Sequence, residues 1–337
     1  MFRLTAILLA LLTASVATAA EAPAFSQTAL LVPAGIRTLL PAPGGAVVMV
    51  DGDGRAFRVS VADGRLNLTP VKVPAFPAPG VDALPDTEVA VGGKGIEAAW
   101  LVGPTRRYGH GVLGDGVEAG GVAARLSGGW VVRFDLAENA VFEDRSPRLA
   151  DMDGDGRDEI LLVKSYLDAG AALSVVGVKD GKLVMRAEAE PIGLPNRWLN
   201  PVGAADFDGD GRVEAAVVIT PHIGGILTLY EMKDGRLVPE ASLHGFSNHG
   251  MGSRELRLST VADVDGDGNP DLIVPGASKR TLKVMSYADG RLRTLAAIAN
   301  ADRIEHAVLV GDLDGDGRPD LVYGLRGGVL VAVIWRR

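Results

Sequence analysis

The 337-residue chain contains no cysteine, so it has neither a disulfide framework, nor a site for lipid attachment, nor a cysteine nucleophile. Aromatic residues make up only 5% of it, and long amphipathic helical patterns are hard to find. Basic residues are in deficit, 34 against 42 acids for a net charge of −8, which argues against a nucleic-acid partner. Histidine is scarce too. The five, His110, His222, His244, His249 and His306, are scattered, and neither G-x-S-x-G nor H-E-x-x-H occurs, so no zinc or nucleophile motif can be assigned. What remains is plentiful glycine, 44 residues, between short runs of Val, Leu and Ala, which is the composition of many short strands joined by tight turns. A hydrophobic content of 47% allows a sizeable core and does not favour disorder.

No apolar run is long enough to span a bilayer, Leu4 to Leu12 included. The opening MFRLTAILLALLTASVATAA places one Arg before an apolar stretch and ends in small residues, the pattern of a secretory signal peptide over residues 1–20. Cleavage is expected after Ala19 or Ala20, giving a periplasmic or secreted protein with no membrane span and one domain over residues 21–337. Removal of Arg3 leaves 33 basic against 42 acidic residues, a net charge of −9.

Four copies of one pattern organise the second half: ADMDGDGRDEILLV from Ala150, ADFDGDGRVEAAVV from Ala205, ADVDGDGNPDLIV from Ala262 and GDLDGDGRPDLVYG from Gly311. Their leading aspartates, Asp151, Asp206, Asp263 and Asp312, are 55, 57 and 49 residues apart, enough for four strands each. Between them lie KDGKL at Lys179, KDGRL at Lys233 and ADGRL at Ala288, with another ADGRL at Ala62. An Asp-Gly pair between alternating apolar residues is a strong hairpin signal, because both turn residues take positive φ. Each unit therefore reads strand, acidic loop, strand, strand, tight turn, strand. Radial repetition of such units protects the sheet edges, so the expected fold is all-β, a β-propeller of six or seven four-stranded blades with seven favoured.

The first half repeats less cleanly. Residues 28–144 read as degenerate blades and 145–337 as blades with acidic loops. Gly45 to Val73 supplies a first blade whose DGDG at Asp51 lacks acids at the flanking positions, Met49 and Phe57, and reads as a turn without metal. GIEAAWLV at Gly95 resembles GRVEAAVV at Gly211, and RYGHGVLGD at Arg107 resembles RIEHAVLVGD at Arg303, so residues 82–145 hold one expanded blade or two trimmed ones. Only one strand follows the last acidic loop. An N-terminal strand near Ala29 to Val32 is needed to complete that blade.

Numbered from the first Asp, loop positions one, three, five and nine carry carboxylates in all four copies: Asp151, Asp153, Asp155, Glu159; Asp206, Asp208, Asp210, Glu214; Asp263, Asp265, Asp267, Asp271; and Asp312, Asp314, Asp316, Asp320. Oxygens at alternate positions suit Ca²⁺, a hard cation that takes roughly six to eight of them, and the position-seven carbonyl of Arg157, Arg212, Asn269 or Arg318 adds one more. An EF-hand is excluded because its twelfth position falls on Leu162, Val217, Val274 or Tyr323. Mg²⁺ resists dehydration and fits less well. The bland alternative is a set of solvated Asp-Gly turns. Four Ca²⁺ would bring the processed chain from −9 to −1.

D-x-D-G-D-G-x-x-[DE] followed by a short apolar strand, at blade-sized intervals, resembles the FG-GAP and VCBS repeat family, which includes the integrin α-subunit propeller. The resemblance is specific over residues 145–337 and implies a propeller of about seven blades, with Ca²⁺ loops on one face and, in several members, ligand contact on the other. The Phe-Gly and Gly-Ala-Pro signatures are largely missing, Pro275-Gly276-Ala277 coming nearest.

The connection LHGFSNHGMGSRELR from Leu243 to Arg257 is read as a surface loop in preference to a binding site. Arg197, Arg254 and Arg303 recur nine residues before a first Asp, with Arg145 six before; inter-blade ion pairs are favoured over an anion-binding ring. Trp100, Trp130, Trp198 and Trp335 are expected to pack rather than to stack on sugars. The sequence thus points to a non-catalytic scaffold, a monomer binding a protein or a glycan. A carbohydrate-active lyase or hydrolase is the alternative.

Overall fold

Two apolar patterns set the strands. Arg65–Val71 alternates and is buried on one face at its start, whereas Asp271–Pro275 is buried throughout, as expected of an edge strand and an inner strand. In the computed structural model, which describes residues 24–336, every regular element but one short 3₁₀ turn is a strand. The expected signal peptide lies outside the described residues. Among them no helix is long and apolar enough to cross a membrane.

β1 (Ala24–Leu31) stands apart in sequence from its partners. β2 (Ile36–Ala42), β3 (Ala46–Asp51), β4 (Ala56–Ala62) and β5 (Arg65–Val71) pair in order as an antiparallel set of four. The next set is β6 (Ala90–Val91), β7 (Ile96–Thr105), β8 (Glu118–Leu126) and β9 (Val131–Asp135). A short β10 (Ala140–Phe142) bridges β8 to the third set, β11 (Arg148–Ala150), β12 (Glu159–Tyr166), β13 (Gly170–Lys179) and β14 (Lys182–Glu188). The fourth is β15 (Leu199–Ala205), β16 (Glu214–Ile219), β17 (Ile226–Lys233) and β18 (Arg236–His244), and the fifth β19 (Thr260–Ala262), β20 (Asp271–Pro275), β21 (Thr281–Ala288) and β22 (Arg291–Ala299).

β23 (Leu309–Gly311), β24 (Asp320–Leu325) and β25 (Val329–Arg336) then need a fourth strand, and β1 supplies it: Ala24 to Leu31 pairs with Arg336 to Val329 without a gap. The completing strand begins at Ala24, five residues before the sequence placed it. The Asp-Gly turns form as expected. Asp63 and Gly64, Asp180 and Gly181, Asp234 and Gly235, and Asp289 and Gly290 all have φ between 49° and 74°.

Neighbouring sets pack face to face. Leu161 and Val175 of the third set meet Val217 and Leu237 of the fourth; Leu229 of the fourth meets Leu272 and Met285 of the fifth; Val284 of the fifth meets Tyr323 and Val333 of the last. The last set in turn packs through Val322 and Leu330 on Leu39 and Val47 of the first, and Ile160 and Val176 of the third pack on Leu101 and Val122 of the second. The first and second sets share no such cluster among the described residues. Between them runs the connection 72–89, with Pro74, Pro77, Pro79 and Pro85, which lies along β7: Leu84 N donates to Leu101 O and Gly103 N to Asp82 O.

Residues 82–145 therefore contribute one set of four, and the described strands fall into six sets, three standing as separate four-stranded sheets and three linked edge to edge in one sheet of 13, against the six or seven expected with seven favoured. The likeness of Arg107–Asp115 to Arg303–Asp312 is not structural. The first stretch lies in the excursion from β7 to β8, and the second leads into β23.

Candidate metal centre

The four acidic stretches join first to second strands: β11 to β12, β15 to β16, β19 to β20 and β23 to β24. Each begins at the end of the first, edge strand of its set and must reverse within eight residues. In the first, Gly154 and Gly156 have φ of 73° and 85°, a backbone that a side chain would strain, and the equivalent glycines of the other three loops do the same.

The carboxylates curl the chain around themselves. Asp263 accepts from Gly266 N at 2.8 Å and Gly268 N at 3.1 Å, Asp265 from Asp267 N at 3.1 Å, and Asp267 from Asn269 N at 2.8 Å. Asp312, Asp314 and Asp316 repeat this on Gly315, Gly317, Asp316 and Arg318, and Asp206, Asp208 and Asp210 do so on Gly209, Gly211, Asp210 and Arg212. In the first loop Asp151 takes Gly156 N, Asp153 takes Asp155 N and Asp155 takes Arg157 N. Position nine closes each loop. Glu159, Glu214, Asp271 and Asp320 are buried and accept from the position-two amides of Met152, Phe207, Val264 and Leu313 at 2.9 to 3.0 Å.

Bonds that fix one side of each carboxylate leave others turned inward. One oxygen each from Asp151, Asp153 and Glu159 lies within 4.8 Å of the others; so do oxygens of Asp206, Asp208 and Asp210, of Asp263, Asp265 and Asp271, and of Asp312, Asp314 and Asp316. Asp151 Oδ1 is buried with no hydrogen-bond partner. Such an oxygen is costly unless a cation meets it. Hard carboxylate oxygens converging from alternate residues fit Ca²⁺ by donor type.

The electrostatics agree. Burial, with repulsion from neighbouring aspartates added, pushes Glu159, Glu214 and Asp271 up to about 7 and Asp320 to about 6. Protein cations compensate unevenly. Arg186 reaches Asp153 at 2.6 Å and Lys94 approaches Asp151 at 3.8 Å; Arg212 pairs with Asp210 at 2.5 Å and Arg318 with Asp316 at 2.6 Å. The third loop has no ion pair among the described residues.

The Asp51 loop is built otherwise. Asp51 is buried and accepts from Asp53 N and Arg55 N, at 3.1 and 2.9 Å, as in the acidic loops. Here, however, the Arg55 guanidinium folds back onto the same carboxylate, Nε at 2.8 Å and a terminal nitrogen at 2.7 Å. Burial would raise the Asp51 carboxyl, but the Arg55 hydrogen bonds and charge prevail and hold it below its ordinary value. A side chain occupies the role of the cation.

The other residues singled out by sequence divide. Of the four recurring arginines, Arg145 pairs with Asp86 at 2.8 Å and Arg254 with Asp115 at 2.6 Å, ion pairs between different segments, whereas Arg197 and Arg303 form no ion pair among the described residues. Trp100, Trp198 and Trp335 are buried, whereas Trp130 is exposed at the tip of the β8–β9 hairpin. The connection after β18 is not the surface loop expected: Asn248 and His249 are completely buried. Asn248 donates to Asn200 O and Ser259 Oγ, both at 3.1 Å. His249 stacks edge-on against Trp198 at 4.9 Å and meets His222 at 2.9 Å, a contact between residues 27 apart that no local pattern announced. Burial depresses both imidazoles to about 4, so they are neutral.

Comparison with known proteins gives one family match. The model of the FG-GAP-like repeat matches three overlapping windows, residues 151–217, 206–274 and 263–323, together just over half of the chain and each opening on the first Asp of an acidic loop. No curated protein matches in sequence. Among solved structures, a crystal structure of BBS1N in complex with ARL6DN soaked with mercury is 14% identical, with 94% of each chain covered and a TM-score of 0.46. A lead-soaked form of that complex is 15% identical, covering 90% of this chain and 79% of that one at a TM-score of 0.44.

Proposed function

Because the chain belongs to the FG-GAP-like repeat family, we propose that it is an exported, Ca²⁺-stabilised β-propeller of six blades that works as a non-catalytic binding scaffold. The six sets of four strands are the blades, and β1 closes the last of them. Positions one, three, five and nine of each acidic loop, with the position-seven carbonyl of Arg157, Arg212, Asn269 or Arg318, are the ligands. The observation that carries the reading is the convergence of carboxylate oxygens in four equivalent loops, one of them buried without a partner.

Bound Ca²⁺ supplies the charge that these oxygens lack. The chain's own part is to hold them ready: the loop amides orient the carboxylates, and the position-nine acid ties the loop to its second strand. Ion binding to the folded state alone then becomes stability of the strand pairs. Rigid sheets leave the connections free to recognise a protein or a glycan, and export rests on the leader pattern of residues 1–20.

A thermal melt of the processed protein in Ca²⁺, in Mg²⁺ and in excess chelator, with bound metal counted by mass spectrometry, tests the reading. About four Ca²⁺ per chain and a large loss of stability on chelation are expected. A chain that retains no metal and melts identically in all three carries solvated turns instead.

A further inference from the structure

Successive turns in an antiparallel set fall at opposite ends of the strands. The acidic loops join first to second strands, so the connections from second to third strands, and from one set to the next, lie on the other face. Four of these converge there: β16 to β17, β18 to β19, β20 to β21 and β22 to β23. They enclose a cavity of about 660 Å³ lined in part by His222, Ser253, Lys279, Arg303, Glu305 and His306.

Two cations share it, and neither forms an ion pair among the described residues. Lys279 is partly buried, and its Nζ donates only to neutral oxygens, His249 O at 3.2 Å and Ser247 Oγ at 3.4 Å. The Arg303 guanidinium has neither an ion pair nor a hydrogen bond among the described residues. Arg145, Arg148, Lys164 and Arg257, partly buried as Lys279 is, each hold a carboxylate, of Asp86, Asp144, Glu188 and Glu255, although Arg107 and Arg197 also donate only to carbonyl oxygens. Burial and then the charge of Arg303 depress the Lys279 ammonium, and Glu305 opposes them less strongly. With both histidines held neutral by burial, the cavity carries two positive charges against the single acid Glu305. The protein as a whole is at −8, so this local excess of positive charge runs against its general field.

We propose that this cavity binds an oxyanion, a carboxylate, phosphate or sulfate group of a ligand, seated between the Lys279 ammonium and the Arg303 guanidinium with the Ser253 hydroxyl as a further donor. Charge-assisted hydrogen bonds in a partly desolvated site are the strong ones, and a guanidinium offers a fork that matches such a group.

Isothermal titration of the Ca²⁺-loaded full chain with sulfate, methyl phosphate and acetate, at constant ionic strength in chloride, tests this. At least one of the three is expected to bind saturably. Arg303→Gln and Lys279→Asn should each weaken it about tenfold. Arg303 is exposed, so its replacement leaves the fold intact, and Asn tolerates the positive φ of 57° at position 279. Arg291→Gln, on the turn between β21 and β22 at the opposite face, should bind as the parent does. A preference for sulfate or methyl phosphate identifies a tetrahedral anion, and a preference for acetate a carboxylate; either sustains the proposal. No saturable binding of any of the three, or binding undiminished in both cavity variants, overturns it.

Discussion

The Asp51 loop and the four acidic loops share one backbone device and solve its charge problem in opposite ways. In both, an aspartate accepts from amides two to five residues ahead and turns the chain sharply. At Asp51 the flanking positions are Met49 and Phe57, one acid is buried, and Arg55 neutralises it. In the other four, acids at positions one and nine crowd the same turn, and of the arginines at position seven Arg212 and Arg318 reach position five, Arg212 also Glu231 of the third strand, and none reaches position one or nine. A single buried carboxylate can be met by a side chain. Three converging ones call for a divalent ion, because a guanidinium cannot touch oxygens on all sides.

The difference is broken or sharpened first by chelation. Excess chelator should release about four ions and remove about 2.7 kcal/mol for each site held at a hundredfold excess over its Kd. Loss of that size approaches the whole stability of a domain, so the chelated chain should melt far lower or not fold. Calorimetry with metal counting checks it.

Next in size is the pH dependence of the chelated protein. Glu159, Glu214, Asp271 and Asp320 titrate near 7, 7, 7 and 6 in the fold, above their ordinary values near 4. Between pH 5 and 7 the folded chain therefore binds more protons than the unfolded one, so stability should fall as pH rises through that window. Saturating Ca²⁺ should flatten the slope, because the ligating acids are then deprotonated in the folded chain as they already are in the unfolded one. Urea titrations at pH 5 and pH 7, with and without Ca²⁺, would show the slope lost when the ion is present; equal slopes would mean that the acids do not face an ion.

A single site comes third. Asp263→Asn in the loop with no ion pair should remove one ion and, in hundredfold excess Ca²⁺, cost about 2–3 kcal/mol. In chelator the same change should be close to neutral or stabilising, since it relieves repulsion. A native mass spectrum counting three ions and a pair of melts decide it.

How much of this could be read from sequence follows from the range of the interactions. The acidic loops and Asp-Gly turns were legible because their residues bond within nine positions of one another. The pairing of β1 with β25 was legible because an unfilled edge is forbidden and only the N-terminus was left to fill it. The second set was not, since it has no acidic loop and its excursion from Arg107 to Val117 imitates a different part of the repeat. The burial of Asn248 and His249 was missed for a like reason. Gly-rich sequence reads as surface, yet here the partners are Asn200, Trp198 and His222, reached only when the connection after β18 folds back across the fourth set. Lys279 and Arg303 share a cavity on the same terms, brought together by four connections from different sets.

The smallest effect is the most discriminating. Arg55→Gln removes the cation of the first loop and leaves Asp51 its two backbone donors. It should lower the melting temperature modestly at neutral pH, by the same amount with Ca²⁺ and with chelator, since no ion serves this loop. The acid limb gives the sign. The Asp51 carboxyl is held below its ordinary value in the fold, so its contribution is present above about pH 4 and is lost as pH falls through the folded value. Parent and variant should therefore differ most at pH 7 and converge as pH falls through the folded value. A difference that changes with Ca²⁺ would place an ion at Asp51 after all, and the contrast between an internal and a borrowed cation would fail at the loop where it is drawn most sharply.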